Sequence, residues 1–314
     1  MHLEVAIVQL QRIASTHGAV LSEDTVRTWL RAIAPHQDVD RALAAVAARS
    51  ALSAEWWQAS DIEPSKVQWL WPNRIPIAML TMLVGDPGVG KSYVSMDIAA
   101  RVSSGSSWPD NTSPLRAERV VILSAEDDAE CTIVPRLATM DAQLQNIYIV
   151  GGVLRGSKTK WWELPADMVA LDNVVGDLRP KLVIIDPITA YMGSADANNS
   201  APVRALMTQL GALAHRHQTA ILVISHFAKA ARNNAIYRVM GSLSFIAAAR
   251  MGWGVMLDPD NPRWRFLLAC KHNIVERPTG LSYTIQDGRV VWSDEVATCS
   301  IESLLTAHQN ETTQ

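Results

Sequence analysis

The eight residues "GDPGVGKS", Gly85 to Ser92, have the types and spacing of a phosphate cradle, GxxxxGKS. They stand between an apolar run, "MLTMLVG" (79–85), and a helix-forming one, "KSYVSMDIAARVSSG" (91–105). Glycines let backbone N–H groups turn inward around phosphate oxygens, and the positive end of the following helix adds to the attraction. In this pattern Lys91 reaches the β- and γ-phosphates and the Ser92 hydroxyl ligates Mg²⁺. Gly85, Asp86, Pro87, Gly88, Val89, Gly90, Lys91, Ser92 and the adjoining Tyr93 are therefore the expected nucleotide-binding residues, with ATP and Mg²⁺ as cofactors.

Three further stretches end in groups able to act on a bound phosphate. "SAEDDAE" (124–130) places Glu126, Asp127, Asp128 and Glu130 directly after the apolar run "RVVILS". Such acids suit a helix start, with Ser124 as its cap and the carboxylates near the positive end of the dipole. Alternatively, one of them handles a proton or a water beside the phosphate. "LVIID" carries Asp186 at its tip, where a carboxylate caps a turn or, after a P-loop, positions magnesium. "ILVISH" ends in His226, which at the tip of a third parallel strand would face the same crevice and sense the γ-phosphate.

These groups converge only if the runs are neighbouring strands. "MLTMLVG" (79–85), "RVVILSA" (119–125), "IYIVGG" (147–152), "KLVIIDP" (181–187) and "TAILVISH" (219–226) alternate with helix-like segments. That alternation predicts an α/β fold with a mainly parallel sheet and helices on both faces. The later runs "RMGWGVMLD", "RWRFLLACKHN", "LSYTIQDG" and "RVVWSD" predict antiparallel strands at one edge, with "QDGR" as a hairpin turn. Residues 1–58 read as a helical segment and linker, through "SEDTVRTWLRAIA" and "DVDRALAAVAARSALSAEWW". "SDIEPSKVQWLWPNRIPI", with three prolines, reads as the linker feeding a main domain over 59–295, and 296–314 as a polar tail. Trp56, Trp57, Trp69 and Trp71 are expected to pack the helical segment onto that domain.

The chain has 314 residues, 48% hydrophobic and 19% charged, with formal charge −3, which suits a globular protein and excludes a broadly basic nucleic-acid binder. Cys131, Cys270 and Cys299 form no CxxC or His/Cys cluster, against structural zinc and a disulfide framework. No stretch approaches about 18 apolar residues, and the N-terminus lacks a leader pattern, so the expectation is a cytoplasmic protein without membrane contact.

Taken in order, "GDPGVGKS", "SAEDD", "LVIIDPITAY", "ISHFAKA", "YRVMGSLSFIAAAR" and "ACKHN" resemble the RecA-like hexameric ATPases, and within them the plasmid RepA-type replicative helicases and related AAA-family ATPases of mobile elements. The resemblance covers about 59–295. It implies a RecA-like P-loop fold and ATP hydrolysis driving a motor on single-stranded DNA, in a homo-oligomeric, hexameric ring. It also implies Glu126 as the base that polarises the attacking water; Asp127 and Asp128 then read as first-turn or magnesium-shell carboxylates, Asp127 the stronger second candidate, and Glu130 as facing solvent. Arg250, ending "GSLSFIAAAR", resembles an arginine finger acting on a neighbouring subunit, and Lys271 an interface phosphate contact. Lys229, Arg232 and Arg238 fall in a loop that the resemblance places in a central channel, with "GSADANNSAPVR" as its weakly basic companion. Residues 1–55 would dock a replication partner by analogy. The alternative is a regulatory ATPase that switches a protein partner without moving along DNA.

Overall fold

Alternate residues of the central strands are buried on opposite sides, which is the pattern of a sheet covered on both faces. The structure, a computed structural model, describes residues 23–33, 39, 43, 56–112, 116–155, 158–193, 199–227, 243–301, 303 and 304. The chain divides into two compact units, Met1–Ser65 and Lys66–Gln314. In the first, helix α1 (Glu23–Ile33) starts beside the expected cap at Ser22 and buries Val26 and Leu30, one turn apart. Most of the second expected helix lies outside the described residues.

The second unit opens with a short hairpin, β1 (Trp69–Trp71) and β2 (Ile75–Pro76), and continues into β3 (Leu80–Gly85), helix α2 (Lys91–Ser104) and β4 (Val120–Ser124). Helix α3 (Val134–Thr139) leads to β5 (Ile147–Ile149) and a second hairpin, β6 (Val153–Arg155) and β7 (Lys158–Lys160). Helix α4 (Leu164–Leu178), β8 (Leu182–Asp186), helix α5 (Ser200–His217) and β9 (Ala220–His226) complete the alternating part. After helix α6 (Leu243–Ala248) come β10 (Met251–Leu257), β11 (Trp264–His272), β12 (Gly280–Gln286) and β13 (Arg289–Ala297). Nine of the strands form one sheet in the order β13-β12-β11-β10-β3-β9-β8-β4-β5, parallel from β10 to β5 and antiparallel from β10 to β13. This is the expected α/β architecture with its antiparallel edge.

Leu83, Ile122, Ile184 and Leu222 face one core with Val94, Ile98 and Val102 of α2 and Leu137 of α3. Met82, Val121, Val183 and Val223 face the other, with Leu171 and Val175 of α4 and Leu206 and Leu210 of α5. Two boundaries differ from expectation. The stretch read as a linker holds the β1–β2 hairpin, whose Trp71 stacks on Trp108 with centroids 4.6 Å apart and planes 3° apart. Trp71 thus belongs to the core of its own unit, whereas Trp56 and Trp57 are exposed. The polar tail expected from 296 starts inside β13, and Ile301 and Leu304 beyond it are buried. Gly254 of β10 leaves the space that Ile301 fills, since a Cβ there would collide with the Ile301 Cδ1.

Arg74, in the β1–β2 turn, is buried between the rings of Trp71 and Trp253, 5.2 and 4.9 Å from their centroids. It donates to Asp110 Oδ2 at 3.0 Å and to the Thr279 carbonyl at 2.8 Å. Burial lowers its pKa, and the hydrogen bond and charge of Asp110 oppose that shift. Removing one partner of a buried pair strands the other, at a cost of about 3 kcal/mol. Arg74→Ala is expected to lower the stability to urea by about that amount, while ATP affinity of the remaining folded protein stays unchanged.

Candidate nucleotide site

Register aligns the strand tips. Gly85 of β3 pairs with His226 of β9, and Ser124 of β4 pairs with Asp186 of β8. The carboxyl ends of four adjacent parallel strands thus form one row, the place where such sheets bind ligands. The loop rising from Gly85 needs glycine at two points for its curve: Gly88 has φ 78° and Gly90 φ 101°. Gly85 is needed for closeness, because a Cβ there would lie 2.7 Å from the Val255 carbonyl oxygen.

Lys91, at the start of α2, is buried beneath this loop. Its Nζ donates to the carbonyls of Gly85 (3.0 Å) and Asp86 (2.9 Å) and stands 3.2 Å from His226 Nδ1. Burial lowers the Lys91 pKa, against the favourable charges of Asp186, Glu126 and Asp86. Because an ammonium can only donate, it assigns the acceptor role to Nδ1 of His226, which leaves the ring proton on Nε2. That nitrogen faces Glu126 Oε1 at 3.4 Å. Lys91, His226 and Glu126 form a line across the tips of β3, β9 and β4, with the Glu126 side chain 57% exposed at its outer end.

The neighbouring pair is Ser92 and Asp186. The hydroxyl donates to Asp186 Oδ2 at 2.9 Å, and Asp186 is buried. Burial raises the Asp186 pKa to about 6, with Glu126 and Asp127 adding to the rise and Ser92 and Lys91 opposing it. Among the described residues no group of three His, Cys, Asp or Glu side chains gathers as a metal cluster. The hydroxyl and carboxylate do form a hard-oxygen pair that fits magnesium completed by phosphate and water oxygens. Ser92 and Asp186 are the residues that would hold it.

The acidic stretch separates by role. Asp128 caps the turn Ala129–Ile133, its Oδ1 accepting from the amides of Glu130 (2.9 Å) and Cys131 (2.8 Å), so the expected cap Ser124 is displaced by Asp128. Ser124 Oγ accepts instead from the Asp127 amide at 3.3 Å. Asp127, expected in the magnesium shell, is paired with Arg136 of α3 at 2.9 Å. The Arg136 guanidinium lies 4.7 Å from the ring centroid of Tyr93, so Tyr93, Arg136 and Asp127 tie the P-loop helix to the Glu126 loop. Arg265 of β11 donates to the Val89 carbonyl at 3.1 Å and braces the loop from the antiparallel edge. Arg265 carries no local signal in the sequence, since its partner Val89 lies 176 residues away, whereas Arg136 pairs with Asp127 only nine residues away.

Arg250 is exposed at the start of β10, and its amide donates to the Leu80 carbonyl at the opposite end of β3 from Gly85. It is not part of its own chain's phosphate site. Lys271 does not present a free ammonium at an interface: its Nζ closes α6 by donating to the carbonyls of Ile246 (2.8 Å) and Ala247 (2.7 Å). Lys229, Arg232 and Arg238, and 194–198 of the companion loop, lie outside the described residues.

A P-loop at the tip of β3, followed across the sheet by strand tips bearing His226, Asp186 and Glu126, defines a RecA-like P-loop ATPase. Comparison with known proteins narrows this class. A family profile described as an AAA domain, AAA_25, matches residues 46–232, and the chain belongs to that family. It is 26% identical over 156 residues to the DNA repair protein RadA of Halalkalibacterium halodurans, a match covering 48% of this chain and 28% of that protein. The chain thus matches less than a third of the length of that curated relative. The crystal structure of a KaiC-like protein from Pyrococcus horikoshii OT3 shares the fold, with TM-score 0.53 and 14% identity over 73% of this chain and 100% of that one. The RadB recombinase structure aligns with TM-score 0.46 and 15% identity over 69% of this chain and 91% of that one.

The Asp186 carboxyl carries a testable cost. Its folded pKa, about 6, lies above the ordinary value of 3.8, so the folded state holds the proton more tightly. The contribution of Asp186 to stability in nucleotide- and magnesium-free protein therefore falls as pH rises through roughly 4 to 6. Asp186→Asn is expected to be more stable than the parent at pH 7.5, by on the order of 1–3 kcal/mol, with the difference vanishing near pH 4 in urea titrations.

Proposed function

We propose that this chain is an ATP-driven motor on single-stranded DNA, a ring-forming replicative helicase or helicase-like replication factor of a plasmid, phage or integrated element. The observation that carries the ATPase part of this reading is the line Lys91–His226–Glu126, which runs from the P-loop cation through a histidine to an exposed carboxylate. Lys91 holds the β- and γ-phosphates and Glu126 takes the proton of the attacking water, with His226 relaying occupancy of the γ-phosphate position between them. Ser92 and Asp186 would hold magnesium, which would supply positive charge against the phosphates. Arg250 acts in trans, a role supported by its place at the end of the sheet remote from its own P-loop. Similarity to a DNA repair protein supports action on DNA, and a hexameric ring is what the family resemblance implies.

A regulatory ATPase that switches a protein partner is the second reading, favoured by the formal charge of −3. ATP turnover measured with and without oligo-dT separates the two. The motor reading expects stimulation by single strands that decays with added salt, and turnover per chain that rises with protein concentration as rings assemble. Turnover indifferent to oligo-dT favours the partner switch, and turnover flat in concentration removes the trans role of Arg250. In the same assay Glu126→Gln keeps ATP affinity and loses about 100-fold or more in turnover, the scale of a missing general base. Retention of normal turnover would overturn its assignment.

A further inference from the structure

The β6–β7 hairpin is not used by the ATP site. It follows β5, the outermost parallel strand, whose carboxyl end continues into Gly151 and Gly152, so it stands on the same end of the sheet as the P-loop. Its segment from Val153 to Trp162 contains Arg155, Lys158 and Lys160 and no acidic residue, in a chain whose formal charge is −3. Two tryptophans follow. Trp162 is buried in the core beside α4, which fixes the backbone. Trp161, its neighbour, is 53% exposed, and among the described residues it is the exposed tryptophan of the second unit.

The Trp161 ring is held in place. It stacks on Tyr191, with centroids 6.2 Å apart and planes 17° apart, and Tyr191 is itself buried. Tyr191 ends the 3-10 turn Ile188–Tyr191, which begins two residues after Asp186. Leu154 and Lys160 are also exposed on the hairpin. Glu163, the nearest acid along the chain, sits beside Gly193, where a Cβ would lie 3.0 Å from the Glu163 Cγ.

We infer that Trp161 is a base-stacking platform for single-stranded nucleic acid, with the exposed Lys160 beside it contacting a phosphate. A flat ring backed on one side by Tyr191 and open on the other accepts any base, because every base has a π-face. An exposed lysine adjoining an exposed flat ring supplies both the charge and the stacking face that a single strand needs, whereas an acidic peptide has no use for the flat face. Tyr191, which backs the platform, ends the 3-10 turn that begins two residues after Asp186, so the platform and the Ser92–Asp186 pair are joined by one short segment.

This inference rests on the reading of the chain as acting on single-stranded DNA, and the test separates the two. The full chain, with a non-hydrolysable ATP analogue and magnesium, is titrated into fluorescein-labelled oligo-dT and followed by anisotropy. Trp161→Ala and Trp161→Leu are expected to weaken binding by about 5- to 100-fold, the range of one lost base stack, whereas Trp161→Phe retains most of it. Trp161→Leu preserves an apolar cover over Tyr191, so it decides the matter if the alanine variant also loses ATP affinity. Basal turnover without DNA is unchanged in the leucine variant. Lys160→Gln lowers the salt slope by about 0.7. Wild-type affinity for oligo-dT in Trp161→Leu overturns the platform and leaves the DNA reading standing. Absence of oligo-dT binding by the unmodified chain overturns both. Equal weakening toward a blunt duplex, whose bases are already stacked, also overturns the platform and makes Trp161 a general surface contact.

Discussion

The parallel register of β3, β9, β8 and β4 is the constraint on which the site depends. Gly85 lies opposite His226 and Ser124 opposite Asp186, so one row of four adjacent strand ends presents a backbone loop, an imidazole, a carboxylate and an acidic loop. A slip of one residue in any pairing would exchange the two buried faces of that strand and turn its terminal side chain away from the row. Because Leu83, Ile122, Ile184 and Leu222 are buried on one side and Met82, Val121, Val183 and Val223 on the other, each strand is locked from both faces. Core packing and site geometry are therefore fixed by the same residues.

Inside the row, opposing charges are held in partial balance. Lys91 is buried enough for desolvation to work against its charge, yet Asp186, Glu126 and Asp86 keep the cation favourable. Asp186 experiences the converse, with burial outweighing the help of Ser92 and Lys91. A divalent cation at Ser92 and Asp186 would supply the positive charge that this carboxylate lacks, which makes the pair a natural place for binding energy to be recovered. Phosphate would do the same for Lys91.

Much of this was legible in the sequence because it is local. The P-loop is a contiguous spacing rule, and Asp186 and His226 each close an apolar run, so strand tip and functional group are read together. Glu126 could be singled out from its acidic neighbours only through the resemblance, and the structure separates them by partners: Asp128 to two amides, Asp127 to Arg136. What the sequence concealed is long-range. Arg265 reaches the P-loop from 176 residues away, and Trp71 was read as part of a linker because prolines surround it, although its partner Trp108 lies beyond α2. Lys271 resembled an interface contact, but no local pattern announces that a strand lysine will close the end of a helix packed beside it.

The position of Arg250 gives the chain a head and a tail. Its amide pairs with Leu80, at the end of β3 opposite the P-loop, so no rotation of the side chain brings it to its own Gly85. Any assembly that joins Arg250 of one copy to the P-loop of the next is heterologous, with unlike surfaces meeting at each joint. In an open row the number of joints is one fewer than the number of copies, leaving one P-loop and one Arg250 without a counterpart. Closure into a ring makes the two numbers equal, so under the proposed trans role of Arg250 the completeness of the last site would be a property of the assembly's topology and not of any single chain.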